Sequence, residues 1–182
     1  QRAINAGVRS SGPKREFGEP TLRLRDPDGI TVKLVGVDMA AAAPLADPLA
    51  PTRIRSVTIL TENAPTTASF AARFGYREAM QEAPLTRLQS ETDVIDLFHA
   101  SGFVPGAPGT GVFDHVAFRA ADAAAVDGMQ RDLSDHEGLT NVHDRKYFRS
   151  LYVREPAGTL FEYATDGPGF AVDEDPARLG EI

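Results

Sequence analysis

Hydrophobic and polar positions along the chain fall into short alternating runs and a few runs of helical period, and their order repeats. "GEPTLRLRDPDGITVKLVGVD" alternates on both sides of the turn DPDG and predicts a two-strand hairpin with no helix or opening strand before it. Residues 1–37 are therefore expected to be the tail of a module whose front lies ahead of the given residues, the chain being the later part of a longer polypeptide. "DMAAAAPLADPLAPT" has no alternation and three prolines, and reads as a linker over 38–52. From Arg53 the pattern predicts a strand in "RIRSVTIL" and a short helix in "NAPTTASFAARFGY", with Pro65 in its first turn and Gly75 as its stop. Three strands follow, at 76–82, 85–90 and 94–99.

After the loop "GFVPGAPGTG" the same series begins again. "VFDHVAFRA" is a strand, "DAAAVDGMQRDLSDHEG" a helix capped by Asp122 and ending near Gly138, and "NVHDRKYF", "RSLYVRE" and "TLFEYATD" are three more strands. The unit β-α-β-β-β thus occurs twice, at 53–104 and 113–182. The expected fold class is α+β, built from repeated β-α-β-β-β modules whose curved mixed sheets pair because each half-open sheet must bury a face. Two alignments follow. "SVTI" falls on "HVAF", placing Ser56 opposite His115. "RDPDGITVKLV" falls on "REPAGTLFEYA", placing Lys33 opposite Glu162, and module alignment sets Asp96 at that same position.

Composition narrows the chemistry. At 182 residues and 42% hydrophobic the chain can bury at least one core, as a soluble globular protein does. A net charge of -7 without a Lys/Arg cluster argues against nucleic acid and anionic membrane surfaces. No apolar run approaches the roughly 20 residues that cross a bilayer. With no cysteine there is no disulfide, a cytoplasmic location is expected, and any metal site must use His, Asp or Glu. "PGAPGTG" lacks a following Lys-Ser/Thr pair, so it does not read as a phosphate cradle.

Strand alternation puts His115, Ala117 and Arg119 on one face of "FDHVAFR", with Val116 and Phe118 on the other. In "GTLFEYAT" it separates Glu162 from Phe161 and Tyr163. With the aromatic faces packed on helices, His115 and Glu162 share the inner, concave face. One imidazole and one carboxylate on rigid strands make two-thirds of a 2-His-1-carboxylate facial triad. On spacing alone, a satisfied structural His and a solvent-facing Glu remain open. The copy with Lys33 would repel a metal ion. Of the other histidines, His143 shares a face with Arg145, His136 lies near a helix C-terminus where positive charge is favourable, and His99 ends a strand; all three read more readily as structural or surface residues. Gly167, Pro168 and Gly169 make a tight turn that sends the acidic tail away from the Glu162 strand.

"FDHVAFR", "DRKYFRSLYVREPAGTLFEYATDGPGF" and "AVDED" resemble the C-terminal module of ring-cleaving dioxygenases of the vicinal oxygen chelate superfamily, in particular the hydroquinone-type extradiol enzymes, over Arg15 to Glu181. The resemblance implies a glyoxalase-like fold of four modules. It implies an iron held by a His from module one together with a His and a Glu from module four, which fall on His115 and Glu162. It further implies that Arg145 steadies an anionic oxygen of substrate or dioxygen, and that Tyr152 donates a hydrogen bond or proton. Read alone, Arg145 is an ordinary surface ion-pairing residue and Tyr152 an amphipathic core residue. Two departures stand out: Asp114 occupies a position where the family often has a second His, and Ser56 cannot serve as the third ligand, which is expected from the segment ahead of residue 1. The activity implied is Fe(II)-dependent cleavage of a small hydroquinone- or catechol-like diol, with dioxygen as co-substrate, Mn(II) as a substitute metal, and a homo-oligomer left open. Two alternatives share the fold: a glyoxalase-like isomerase or thiol transferase, and a non-catalytic small-molecule binding (resistance) module without metal.

Overall fold

The computed structural model describes residues 2–36, 51, 53–102, 109 and 112–181. A four-residue helix α1 (Arg2–Asn5) precedes β1 (Ser10–Glu16), β2 (Glu19–Arg25) and β3 (Thr31–Val35). The first full series is β4 (Ser56–Thr61), α2 (Ala64–Ala71) with a 3-10 turn at Ala72–Phe74, β5 (Arg77–Glu82), β6 (Leu85–Gln89) and β7 (Val94–His99). The second is β8 (His115–Ala120), α3 (Ala123–Asp132), β9 (His143–Asp144), β10 (Arg149–Arg154) and β11 (Leu160–Thr165), followed by 3-10 turns at Phe170–Val172 and Pro176–Arg178.

The strands form three sheets, ordered β1-β2-β3, β4-β7-β6-β5 and β8-β11-β10-β9. In both four-stranded sheets the strand before the helix runs parallel to the last strand, and the remaining pairs are antiparallel. These are the mixed sheets of the expected α+β class. By compactness the chain divides into a unit of residues 1–64 and 75–113 and a unit of residues 65–74 and 114–182. Most of α2 thus belongs with the second sheet series.

Several elements depart from the sequence expectation. Strand β1 stands ahead of the hairpin, where no opening strand was expected; its first six residues are exposed, so it has no buried face to show as alternation and is held by backbone pairing with β2. A register shift between Ser11 and Lys14 takes up Gly12 and Pro13. Strand β9 is two residues long, because the chain turns at Lys146 (φ 70), whose N–H donates to the Asp144 carboxylate. Helix α3 begins where expected, Asp122 Oδ1 accepting from the Ala125 N–H at 2.8 Å, but it ends at Asp132, short of Gly138. Apart from Pro51, the expected linker 38–52 lies outside the described residues, as does most of the loop 102–111.

The shared Arg-acid-Pro-x-Gly motif is a turn clamp. Arg25 Nη1 donates to the Gly29 carbonyl at 3.2 Å, and Arg154 Nη1 to the Gly158 carbonyl at 3.0 Å. The acid accepts turn amides: Asp26 from Ile30 at 2.7 Å, Glu155 from Ala157 at 3.0 Å and Thr159 at 2.9 Å. Gly29 and Gly158 sit at φ 92 and 102, a conformation only glycine adopts freely. Glu155 is 2% exposed and also accepts from the Thr67 hydroxyl of α2 at 3.0 Å. The clamp fixes the cross-strand register, so Arg23 faces Lys33 in one copy and Tyr152 faces Glu162 in the other.

Core packing in the first unit is aliphatic, with Ile59, Leu85, Leu88, Ile95 and Leu97 buried. The second unit buries an aromatic layer: Phe70 and Phe74 meet Phe118, Phe161 and Tyr163 with ring centroids 4.8 to 5.9 Å apart. Full burial of a ring such as that of Phe161 contributes about 1.5–3 kcal/mol. That layer fixes which face of β8 and β11 points inward, and so which residues remain on the opposite face. Among the described residues no helix is long and apolar enough to cross a membrane.

Candidate functional site

With Phe118 and Phe161 committed to the aromatic layer, His115 and Glu162 project from the opposite face of adjacent parallel strands. Leu160 pairs with His115 and Glu162 with Ala117, so the two side chains are diagonal neighbours. His115 Nε2 lies 2.9 Å from Glu162 Oε2. Tyr152 sits directly across the antiparallel pair, and its hydroxyl donates to Glu162 Oε1 at 2.6 Å. Both carboxylate oxygens are engaged, by an imidazole and a phenol, in a residue only 5% exposed.

The backbone turns so that Asp114 Oδ2 reaches His115 Nδ1 at 2.9 Å. Asp114 can accept a proton from Nδ1, which leaves Nε2 directed at Glu162; the 2.9 Å contact there needs a proton on one of the two atoms, and a ligated metal ion would take that proton's place. Tyr152 is flanked by imidazoles, its ring centroid 5.7 Å from that of His115 and 5.9 Å from that of His143. Burial raises the phenol's pKa and the bond to Glu162 raises it further; Ser150 and the Arg145 charge act in the opposite direction without reversing the shift. The phenol therefore stays protonated near neutral pH. Arg145 is exposed in the turn after β9, where its backbone N–H donates to the Phe148 carbonyl at 2.9 Å.

Among the described residues no third His, Asp or Glu joins His115 and Glu162. An imidazole nitrogen and a carboxylate oxygen are donors that could hold a divalent ion of borderline hardness, and they would fill two positions of a three-ligand face. His136 instead packs edge-on against Phe70 at 4.8 Å, and His99 closes β7. The tail leaves β11 at the turn of 167–169 and is then fastened beside Arg145. Gly169 N–H donates to the Tyr147 carbonyl at 2.8 Å, the rings of Tyr147 and Phe170 stack at 5.0 Å, and Asp173 meets Lys146 and the Tyr147 hydroxyl.

The same strand positions carry different chemistry in the other copies. Facing Asp96 across β6 and β7 is Arg87. Its Nε donates to Asp96 Oδ1 at 2.8 Å, its Nη2 to Asp96 Oδ2 at 3.2 Å and its Nη1 to Glu19 Oε2 at 2.7 Å. Ser56, in the place of His115, donates to Asp96 Oδ2 at 3.0 Å. In the hairpin copy, Lys33 Nζ and Arg23 Nε donate to the two oxygens of Glu16, each at 2.8 Å. Burial pushes the Glu16 and Glu19 carboxyls up, but hydrogen bonds from their cations (Lys33 and Arg23; Arg55 and Arg87) leave both below the ordinary value. Ser56 and Asp96 lie where the alignment expects them. Arg87 and Glu19 were missed, although laying "LTRLQ" on "SLYVR" puts Arg87 in the register of Tyr152.

No family model matches the chain. MhqO of Bacillus subtilis (strain 168), which carries the name of a ring-cleaving dioxygenase, is 33% identical over 175 residues, covering 91% of this chain and 56% of that protein. The chlorohydroquinone/hydroquinone 1,2-dioxygenase of Sphingobium indicum is 40% identical over 92 residues, 48% of this chain and 28% of that protein. Among solved structures, a Bacillus subtilis protein described as a dioxygenase matches with a TM-score of 0.86 at 30% identity, over 100% of this chain and 61% of its own. The bleomycin resistance determinant encoded on transposon Tn5 matches at 0.52 and 16% identity, over 64% of this chain and 99% of its own, which shows the fold alone. The chain spans about half the length of the relatives it matches.

Proposed function

We propose, because this chain belongs to the vicinal oxygen chelate (glyoxalase/bleomycin-resistance) superfamily as a relative of its ring-cleaving dioxygenases, that it forms the metal-holding end of an enzyme that opens a hydroquinone- or catechol-like ring in the extradiol manner. The observation that carries the metal reading is internal to the chain. Glu16 and Asp96 are neutralised by lysine or arginine, whereas among the described residues the nearly buried Glu162 meets an imidazole and a phenol and no lysine or arginine. A buried carboxylate is costly to keep ionised without a cation beside it. A metal ion supplies the charge that the other two copies build in.

His115 Nε2 and Glu162 would hold the ion, and the third ligand we place outside the described residues, as an imidazole from a preceding module. A divalent ion there, Fe(II) or its substitute Mn(II), would supply Lewis acidity and open positions for an aromatic hydroxyl and dioxygen. Around it the chain's residues have separate tasks. Asp114 keeps the His115 proton on Nδ1. Tyr152, protonated near neutral pH, holds one Glu162 oxygen and is a hydrogen-bond or proton donor to oxygen on the reacting edge of the ring. Arg145, exposed beside that phenol, offers a guanidinium to an anionic oxygen. Both atoms of dioxygen enter the product as one ring carbon–carbon bond breaks, so no external reductant is consumed.

The test is metal analysis of the purified protein, then oxygen uptake with a panel of hydroquinones and catechols in the presence of Fe(II) or Mn(II). Metal-dependent uptake, one dioxygen per ring opened and abolished by His115→Ala, is the expected result. Tight binding of aromatic ligands by metal-free protein without uptake would instead support a resistance-type module, and isomerase or thiol-transfer activity without uptake a glyoxalase-like enzyme.

A further inference from the structure

We propose that Arg87 occupies, within the fold, the place of a divalent cation in the β4–β7 copy of the site, making that copy a latent metal cup locked by its own guanidinium. The inference rests on the reading of His115 and Glu162 as metal ligands, and it is carried by register and contact. Ser56 stands where His115 stands, Asp96 where Glu162 stands and Arg87 where Tyr152 stands. The bond from Ser56 to Asp96 Oδ2, at 3.0 Å, corresponds to the 2.9 Å approach of His115 to Glu162 Oε2.

The guanidinium is placed as a bridging cation. Its side chain is 7% exposed, and it joins Asp96 to Glu19, a carboxylate contributed by β2 of the three-stranded sheet. The Phe17 ring covers it, with Arg87 Cζ 4.3 Å from the ring centroid. One planar fork reaching carboxylates on two strands is the task for which arginine is suited. Without that fork the Asp96 and Glu19 carboxylates and the Ser56 hydroxyl still converge, and while Arg55 stays on Glu19 the buried Asp96 loses its guanidinium. A histidine in place of Ser56 would bring together one imidazole and two carboxylates, three nitrogen and oxygen donors of the kind a divalent ion such as Mn(II) accepts. The hairpin copy follows the same logic, with Lys33 and Arg23 on Glu16. Among the described residues the lock leaves at most one copy free to take a metal ion, the β8–β11 copy.

The experiment uses the full chain carrying His115→Ala and Glu162→Gln, so that the proposed centre contributes no ion. Equilibrium dialysis against Mn(II) with metal analysis is expected to find no bound ion in that protein. Adding Ser56→His and Arg87→Tyr is expected to give one Mn(II) per chain and a melting temperature that rises with Mn(II). An ion retained while Arg87 is intact, or a folded four-site variant that binds none, overturns the proposal. Absence of metal from the unaltered protein with the segment that supplies the third ligand present would defeat the reading of His115 and Glu162, while the four-site variant would still decide the role of Arg87. A melting comparison guards against misfolding. Arg87→Gln alone is expected to lower the melting temperature, and adding Asp96→Asn to recover more than half of the loss, because an unpaired buried acid is the cause; no recovery also overturns it.

Discussion

Replacing Tyr152 by phenylalanine deletes one oxygen and leaves the ring that packs against His115 and His143. The oxygen removed donates a 2.6 Å hydrogen bond to Glu162 Oε1, while Oε2 is the atom turned toward His115. A hydrogen bond to a charged group is worth about 1.5–3 kcal/mol when water cannot replace it. Tyr152 is half-buried, so water can partly replace its hydroxyl, and a net loss of about 1–2 kcal/mol is the better figure. If that bond orients Glu162 for a metal, Tyr152→Phe weakens Mn(II) binding by about 5- to 30-fold, consistent with the loss of about 10- to 100-fold seen when a partner that orients a metal ligand is removed. Titration calorimetry with Mn(II) on the full chain measures it, with the melting temperature of the metal-free protein as a control for packing. Should the phenol also move a proton during turnover, kcat falls by about 100-fold or more, beyond the change in affinity. Binding that is unchanged within about twofold, or tighter because a carboxylate oxygen has been released, refutes the orienting role.

Other outcomes follow from the same geometry. Glu155→Ala removes the acceptor of two turn amides, those of Ala157 and Thr159. At about 1–3 kcal/mol for each buried group left unpaired, urea unfolding should show a loss of at least about 2 kcal/mol, and a loss below about 1 kcal/mol contradicts the clamp. The lowered carboxyls of Glu16 and Glu19 give a signed pH dependence: their contribution is complete above the ordinary value of 4.5 and is lost as pH falls through the depressed folded values. Melting curves across that range should therefore steepen toward acid in the unaltered chain and flatten in Glu19→Gln. Asp114→Asn can offer an amide N–H to Nδ1 and move the imidazole proton to Nε2. Mn(II) affinity should then fall about tenfold, with Asp114→Ala closer to the unaltered protein; equal affinity in all three removes Asp114 from the site.

How much could be read from the chain depended on whether a residue's neighbours are local. β7, β10 and β11 announce themselves because each carries buried apolar residues between clear turns, Ile95 and Leu97, Leu151 and Val153, and Phe161, and the two alignments placed Ser56, Asp96 and Lys33 in register with the site. β1 was invisible because Ser10 to Lys14 bury nothing, and its order comes from backbone pairing to β2. Alternation assigns His115, Glu162 and Tyr152 to faces but does not say which diagonal neighbour a side chain meets. The 2.9 Å approach of His115 to Glu162 depends on the one-residue choice of register between parallel strands. Glu19 was out of reach for a stronger reason, since it meets Arg87 from 68 residues away in sequence.

The two R-acid-P-x-G clamps hold their hairpins in one register, so selection on the paired positions can act on charge with the geometry already given. In the first clamped hairpin the pair is Arg23 and Lys33, two cations that share Glu16; in the second it is Tyr152 and Glu162, with no lysine or arginine on the acid among the described residues. The middle sheet reaches the equivalent pair, Arg87 and Asp96, through a different turn in which Ser90 Oγ accepts the Thr92 and Asp93 amides. Because that sheet converges on the same pairing with another turn, the pairing is a property of the module and not of the motif. The chemical identity of each copy then depends on few side chains: a guanidinium at the Tyr152 position sits on the acid, and a phenol there, with an imidazole on the neighbouring strand, leaves a nearly buried acid with no lysine or arginine on it among the described residues, the contrast on which the metal proposal rests. The position of Lys33 alone is therefore a weak guide to metal binding, and the residue facing it across the hairpin is the stronger one.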